Sequence, residues 1–269
     1  MDTETKYRKK WSEDETILAF YYYCQIPFGK IDHRNPRIIE IAKLIGRTPS
    51  SVSLKMGNLG HFDPSLQSRN VVGMSNASKL DEQVVKEFLD NWEELAVRAR
   101  KIEAEYLKTA QSEEAQIEEL PEGLDNITET KQRMNQQFFR EAVLSSYLQR
   151  CCITGMAVPA LLVTSHIKPW AVSDPKAERT NPCNGLCLNA LHDKAFDRGL
   201  ITVLPDYTVR VSKELKKTGP DSETEWLLSC DKQKITLPEK FLPAREFLEY
   251  HNDMIFEKSL LYGCSNYLP

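Results

Sequence analysis

Residues 160–197 constrain the fold more than any other part of the chain, because a predicted strand, a loop and a predicted helix each carry a polar residue there. The apolar residues 160–163 predict a β-strand, which leads directly into Ser165 and His166. Asn184 follows in a loop, and His192 lies in LNALHDKAFD, which we predict to be a short helix. The order strand, loop, helix with His, Asn, His indicates a compact site for metal-assisted chemistry.

A second β element is predicted after this region. Residues 200–204 and 207–211 alternate between apolar and polar side chains on either side of Pro205-Asp206. Two short alternating runs around a turn-forming pair are typical of a β-hairpin. The expected fold class is therefore α+β, because the rest of the chain has mainly helical periodicity.

The N-terminal part has the pattern of a helix-turn-helix. Residues 11–60 predict several short helices; Gly46 ends one of them, and Thr48-Pro49 begins the next. A helix, a glycine turn and a capped helix are the order found in helix-turn-helix domains. We expect DNA contacts from four polar residues on or beside the last helix: Arg47, Ser50, Ser51 and Lys55. The alternative is a helical packing domain that makes no DNA contact.

Charge and periodicity divide the chain into four segments. Residues 1–75 form the helix-turn-helix-like module, and residues 76–108 predict one long amphipathic helix. Residues 109–130 predict an acidic linker, part of which could be helical, and residues 131–269 a C-terminal domain. The net charge of −4 is uneven: residues 76–130 carry −9, residues 1–75 carry +3, and residues 131–269 carry +2. Both flanks can therefore bind an anionic partner although the whole chain is acidic.

Composition excludes several classes of protein. The chain has 269 residues, of which 41% are hydrophobic, so it can bury a core and is not globally disordered. No uncharged apolar run is long enough to span a membrane, and the N-terminus has no secretory signal. Seven cysteines without an export signal indicate reduced thiols and a cytoplasmic location.

Several motifs in order carry a family resemblance. CITG, SHIKPW, NGL and HDKAF with a following Asp resemble the HNH endonucleases, most closely the restriction-associated branch, over roughly residues 132–215. The resemblance implies a ββα-metal nuclease domain with an added β-hairpin, preceded by the helical module. It also implies hydrolysis of DNA phosphodiester bonds, in restriction or phage defence.

The resemblance assigns a role to each polar position. His166 is expected to be the general base, Asn184 to brace the loop and orient that base, and His192 to bind the metal from the helix. The implied cofactor is one divalent cation, Mg²⁺ in preference to Mn²⁺. Asn184 could equally be a turn residue before Gly185, and the two readings are compatible.

One position departs from the family pattern. Many HNH enzymes have an acidic metal ligand immediately before the base, whereas this chain has Ser165. A neutral hydroxyl is a weak ligand for a hard cation, so the cation must depend on His192, on phosphate and water, or on another carboxylate. Asp193 and Asp197 are the nearby carboxylates. Asp197 is the candidate ligand, although a structural hydrogen bond is the favoured reading because its spacing from His192 does not suit one helix face. Lys168 and Arg179 are either phosphate contacts or surface cations.

Other features remain open or are not expected. A structural zinc site is not expected, because Cys151-Cys152 and Cys183/Cys187 lack the usual ligand spacing.

Cutting both strands would require two active sites, which favours a homodimer. The alternatives to a general nuclease are a DNA-binding regulator that retains an inactive HNH scaffold and a nuclease specific for modified or RNA-containing substrates.

Overall fold

The computed structural model describes residues 9–69, 77–114, 127–219, 221 and 224–258. These residues form two compact units. The first contains the described residues up to Ser146 together with Asp174–Asn181 and Glu239–Phe241; the second contains the remaining described residues. The α+β fold class is confirmed, with helices in both units and two small antiparallel sheets in the second.

Helices make up most of the first unit. In the part of the chain that is described they are α1 (Glu13–Gln25), α2 (Pro36–Ile45), α3 (Pro49–Gly60), α4 (Pro64–Gln67), α5 (Lys79–Leu89), α6 (Trp92–Glu114) and α7 (Ile127–Ser146). Gly46 ends α2 in the left-handed conformation, at φ 68°, and the Thr48 side chain caps α3 by accepting from Ser51 N. Helix, glycine turn and capped helix therefore occur where the sequence predicts them. Whether this arrangement binds DNA stays a prediction.

The single helix predicted over residues 76–108 is wrong, because the chain forms α5 and α6 there. The break falls at Asp90-Asn91, two residue types whose side chains compete for backbone hydrogen bonds and so favour helix ends. Part of the predicted acidic linker is helical, as the sequence allowed, since α6 reaches Glu114 and α7 begins at Ile127. Residues 115–126 lie outside the described residues.

Aromatic packing forms the centre of the first unit. The Trp92 side chain is 1% exposed, and its ring centre lies 6.1 Å from that of Phe20 and 6.3 Å from that of Phe138. These three rings join α1, α6 and α7. Burying an aromatic side chain contributes about 1.5–3 kcal/mol, so this cluster is a major part of the core of the unit.

A distant residue closes the C-terminal end of α1. Lys240 is fully buried, and its Nζ donates to the carbonyl oxygens of Cys24 at 3.1 Å and Ile26 at 2.7 Å, and to that of Tyr23. These carbonyls lie where a helix leaves its acceptors without partners, so a cation there is favourable. Burial lowers the pKa of Lys240 to about 8.

The second unit contains the predicted strands. β1 (Leu162–His166) pairs antiparallel with β2 (Gly185–Asn189), with His166 opposite Gly185, and α8 (Ala190–Asp197) follows β2 directly. β1 begins later than the apolar run because Pro159–Leu161 forms a 3₁₀ turn. β3 (Ile201–Val203) and β4 (Val209–Val211) form the predicted hairpin. The remaining helices of the described chain are α9 (Lys213–Lys217), α10 (Glu225–Leu228) and α11 (Arg245–Met254).

No helix of the described residues is long and apolar enough to cross a membrane.

Candidate active site

A cleft of about 310 Å³ lies in the second unit, where the end of β1 meets α8 and α11. Its walls are formed by Val163, Thr164, Ser165, His166, Pro169, Trp170, Asp193, Asp197, His251 and Ile255. The cleft therefore combines one partly exposed imidazole, one buried imidazole, two carboxylates and an apolar wall. A concave site with a few convergent polar groups is the usual form of a binding or catalytic pocket.

His166 occupies the C-terminal end of β1 and is partly exposed in the cleft. Its ring packs edge-on against Trp170, with 5.6 Å between ring centres and 84° between planes. The sequence produces this geometry because the strand stops at His166 and Pro169 directs the chain into a 3₁₀ turn that starts at Trp170. His166 thus lies at a fixed position with its ring accessible to a ligand.

Asn184 fastens the loop that follows His166. Its Oδ1 accepts from Lys168 N at 2.8 Å, and its Nδ2 donates to Lys168 O at 3.1 Å and to Ser173 Oγ at 3.4 Å. Its backbone carbonyl also accepts from Ile167 N at 2.9 Å. The side chain is fully buried, so these bonds are shielded from water. Asn184 therefore holds the loop on which Trp170 lies.

The placement of His192 corrects the expectation that its ring enters the site. His192 is fully buried and is not among the cleft residues. Its Nδ1 lies 3.0 Å from Oδ1 of Asn189, the residue that caps α8, and its Nε2 makes no hydrogen bond of normal geometry within the described residues. Burial lowers the pKa of His192, and the Trp226 backbone opposes that shift only in part. A neutral buried imidazole of this kind supports the fold of α8.

Asn189 also explains the C-x-x-T-G motif. Its Nδ2 donates to Thr154 Oγ1 at 3.3 Å and approaches Cys151 Sγ at 3.8 Å. The turn itself closes through a bond from Gly155 N to Cys151 O, with Gly155 at φ 72°. The motif therefore anchors the start of α8 and so sets which residues of that helix face the cleft.

Two carboxylates of α8 line the cleft: Asp193 and Asp197. Residues four apart lie one above the other on a helix, so both project from the same face. Burial raises the pKa of each, and the charge of Asp193 contributes to a pKa of about 6 for Asp197. The sequence analysis noted Asp193 beside Asp197 but selected only Asp197 as a site residue, although the spacing of the two was a usable signal. Mutual repulsion of this kind would be relieved by a cation.

The two expected phosphate contacts near the site lie in different units. Lys168 follows β1 in the second unit, and its Nζ lies 5.4 Å from the ring centre of Tyr250. Arg179 belongs to Asp174–Asn181, which is part of the first unit. Both side chains are partly exposed. Their contact with phosphate stays a prediction.

Two of the four residues expected to contact DNA from the helical module are buried instead. Arg47 Nη2 pairs with Glu15 Oε2 at 2.7 Å, with side chains 4% and 3% exposed, and Lys55 Nζ pairs with Asp81. Because these charges are neutralised inside the unit, the expectation for Arg47 and Lys55 is corrected: they stabilise the fold. Ser50 is exposed and Ser51 half-buried, both in the first turn of α3.

The cleft offers few protein ligands for a cation, so a bound cation would take its other ligands from water or substrate. No group of three or more His, Cys, Asp or Glu side chains within the described residues is arranged to hold a metal ion. Asp193 and Asp197 nevertheless offer two carboxylates from one helix face to the cleft. Mg²⁺ usually binds through one or two carboxylates and completes its shell with water and substrate phosphate, so this pair suits it.

Comparison with known proteins agrees with this geometry. A family model described as HNH endonuclease matches residues 151–204. No curated protein matched the chain. The matched segment contains β1, β2, α8 and β3. His166 on β1 and Asp193 and Asp197 on α8 therefore lie within it. Residues 151–204 are therefore an HNH endonuclease domain.

Proposed function

We propose that the chain is a metal-dependent DNA endonuclease. The observation that carries the proposal is the cleft in which His166, at the end of β1, lies with two carboxylates of α8. Hydrolysis of a phosphodiester requires a base to activate water and positive charge to stabilise the developing oxyanion. The cleft offers a residue type suited to each of these needs.

His166 acts as the general base in this proposal. A neutral imidazole can accept the proton of an attacking water near neutral pH, and His166 is accessible in the cleft. The water oxygen then bonds to phosphorus as the bond to the leaving deoxyribose oxygen breaks, and a solvent water protonates that oxygen. Asn184 is a positioning residue, because it holds the loop that follows His166 through both of its amide atoms.

Asp193 and Asp197 would hold the divalent cation, Mg²⁺ or Mn²⁺, in place of the expected His192. The cation supplies charge that stabilises the phosphate oxygens and the leaving oxygen. His192 would have a structural role, since its backbone N–H and its Nδ1 both contact Asn189 Oδ1 and so help to fix the first turn of α8. Ser165, which also lines the cleft, provides a neutral hydroxyl.

The helical unit would position the DNA. The helix–turn–helix order of α2 and α3 supports this role, with Ser50 and Ser51 at the start of α3 as the contacts that remain. Lys168 and Arg179 would contact phosphate.

The proposal also includes a role in restriction or phage defence. It further includes a homodimer that cuts both strands, which light scattering with and without DNA would test.

A plasmid assay tests the proposed function. The purified full chain is incubated with supercoiled DNA, unmodified or cytosine-modified, in Mg²⁺, Mn²⁺ or EDTA. We expect nicking or linearisation that needs the cation and that His166→Ala reduces by about 10²-fold or more, because a general base contributes that much. His33→Ala is the matched control, since His33 is a surface histidine with 56% of its side chain exposed. Full activity in the His166→Ala variant would exclude His166 as the base.

An inactive regulator is the second candidate, and Ser165 favours it, because the chain lacks an acidic residue before the base. In that case DNA would bind tightly to the wild type, and no cation would produce cleavage of any tested plasmid.

A further inference from the structure

Two rows of charged side chains run along α8 beside the cleft. Asp193 and Asp197 form the acidic row, which lines the cleft. Lys194 and Arg198 each follow one of these carboxylates directly in the chain. Arg198 N donates to Lys194 O at 3.2 Å, so the helical spacing continues to Arg198. Because successive residues of a helix point about 100° apart, the two cations form a second row on the neighbouring face.

A third cation, Lys213, extends this second row beyond the end of α8. Glu257 joins the start of α9 to the end of α8, since its N–H donates to Gly199 O at 3.1 Å and its Oε1 accepts from Lys213 N at 2.8 Å. Lys213 therefore lies beside Gly199, the residue that follows Arg198. We call Lys194, Arg198 and Lys213 the basic row.

The side chains of the basic row are exposed and are not engaged in ion pairs. None of the three makes a side-chain hydrogen bond or an ion pair in the part of the chain that the structure describes. Other exposed cations of the same unit are held by carboxylates: Lys216 by Asp231, Lys234 by Asp206 and Arg245 by Glu249. The basic row can therefore bind an external anion without first breaking an ion pair.

The charges of the basic row act on the cleft. Burial and the charge of Asp193 raise the pKa of Asp197 to about 6, and the charges of Lys194 and Arg198 oppose that shift. Opposition of this kind requires the cations to lie within electrostatic range of the carboxylate. A polyanion that contacts the basic row would therefore lie alongside the cleft.

We propose that Lys194, Arg198 and Lys213 form a binding site for the phosphate backbone of DNA beside the scissile phosphate. This inference rests on the proposed function, because it takes DNA as the substrate of the cleft. Cations that are spread along a helix and onto the next element suit a polyanion, since groups that hold one small anion converge on it. The basic row also offsets the repulsion between the DNA and the two carboxylates. Contacts of this kind give affinity and register rather than sequence preference.

The salt dependence of DNA binding tests the site without requiring cleavage. The affinity for a short fluorescent duplex is measured by anisotropy in EDTA over a range of NaCl concentrations. Each phosphate contact contributes about 0.9 to the slope of log K against log [salt]. Lys194→Gln, Arg198→Gln and Lys213→Gln together should therefore make the slope shallower by about 2–3. Arg198→Lys alone should retain the wild-type slope, because it keeps the charge.

The matched control removes as many charges from exposed positions of the same unit that do not line the cleft: Lys232→Gln, Lys234→Gln and Arg245→Gln. This control should change the slope by less than about 1. Circular dichroism checks that each variant is folded; if the triple variant of the basic row is not, the three single variants replace it, each with an expected change of about 0.9.

Three results would overturn the inference. One is an equal slope for the two triple variants, and another is a wild type whose DNA binding does not depend on salt. The third is a lower melting temperature with an unchanged slope, which would give the basic row a purely structural role at the end of α8.

The plasmid assay separates this inference from the proposed function. Cation-dependent nicking by the wild type together with equal slopes would exclude the phosphate site and leave the nuclease. A shallower slope in the triple variant, without nicking of any plasmid by the wild type, would leave the phosphate site and exclude the nuclease.

Discussion

His251 on α11 is expected to limit the stability of the protein in mild acid. The side chain is 1% exposed, with Nδ1 2.8 Å from Thr202 Oγ1, Nε2 3.2 Å from Phe196 O, and its ring stacked on Phe196 at 3.7 Å. Burial disfavours the charged imidazole and lowers the pKa from 6.5 to about 3. The unfolded chain therefore takes up a proton near pH 6.5, which the folded chain does not accept until about pH 3.

The sign and size of the effect follow from these two values. Stability is fully present above the unfolded pKa and is lost as the pH falls towards the folded pKa, because protons bind preferentially to the unfolded state. Between pH 7.5 and 5 the loss is about 2 kcal/mol, and it approaches about 5 kcal/mol below pH 3. An effect of this size would be a large share of the stability of an ordinary domain.

Urea unfolding at pH 7.5 and at pH 5 measures the effect in the wild type and in His251→Gln. The variant loses packing at both pH values, but its loss between them should be smaller than that of the wild type by about 2 kcal/mol. Asp193 and Asp197, whose raised pKa values act in the opposite direction, are present in both proteins and cancel in the difference. His33→Gln, at an exposed histidine, should keep the wild-type pH dependence. Identical pH dependence in wild type and His251→Gln would refute the reasoning.

Three further outcomes are expected. Arg47→Met should destabilise the chain by about 3–5 kcal/mol in urea, because it removes the counter-charge of the buried Glu15 carboxylate, and adding Glu15→Gln should recover much of the loss. Asp193→Asn should raise the Mg²⁺ concentration needed for nicking, whereas His192→Gln should lower the melting temperature with little change in that concentration. Asn184→Ala should speed limited proteolysis of residues 167–173, since it removes the side-chain bonds to Lys168 and Ser173; unchanged proteolysis would contradict its bracing role.

Local patterns predicted several elements of the HNH domain. β1, the β3–β4 hairpin and α8 follow from apolar runs and turn residues that lie within a few positions of one another. The side of α8 that meets the cleft did not follow, because neighbouring residues on a helix point about 100° apart and only tertiary packing decides between them. This is why His192 was expected in the site and Asp193 occupies it.

Long-range pairing explains the errors in the helical module. Arg47 and Lys55 look like surface cations in the sequence, because their partners Glu15 and Asp81 lie 32 and 26 residues away. A one-dimensional pattern contains no signal for such pairs. The break at Asp90 was local and could have been predicted from the helix-ending preference of Asp-Asn.

The burial of Lys240 at the end of α1 affects when the helical unit can complete its folding during synthesis. The side chain that closes this helix is encoded 214 residues after Ile26, one of the carbonyls it binds. In a nascent chain these acceptors are therefore left to water until Lys240 has emerged from the ribosome. The helical unit can reach its final form only after the residues of the nuclease domain have been translated, and a fragment that stops at Ser146 would lack this contact.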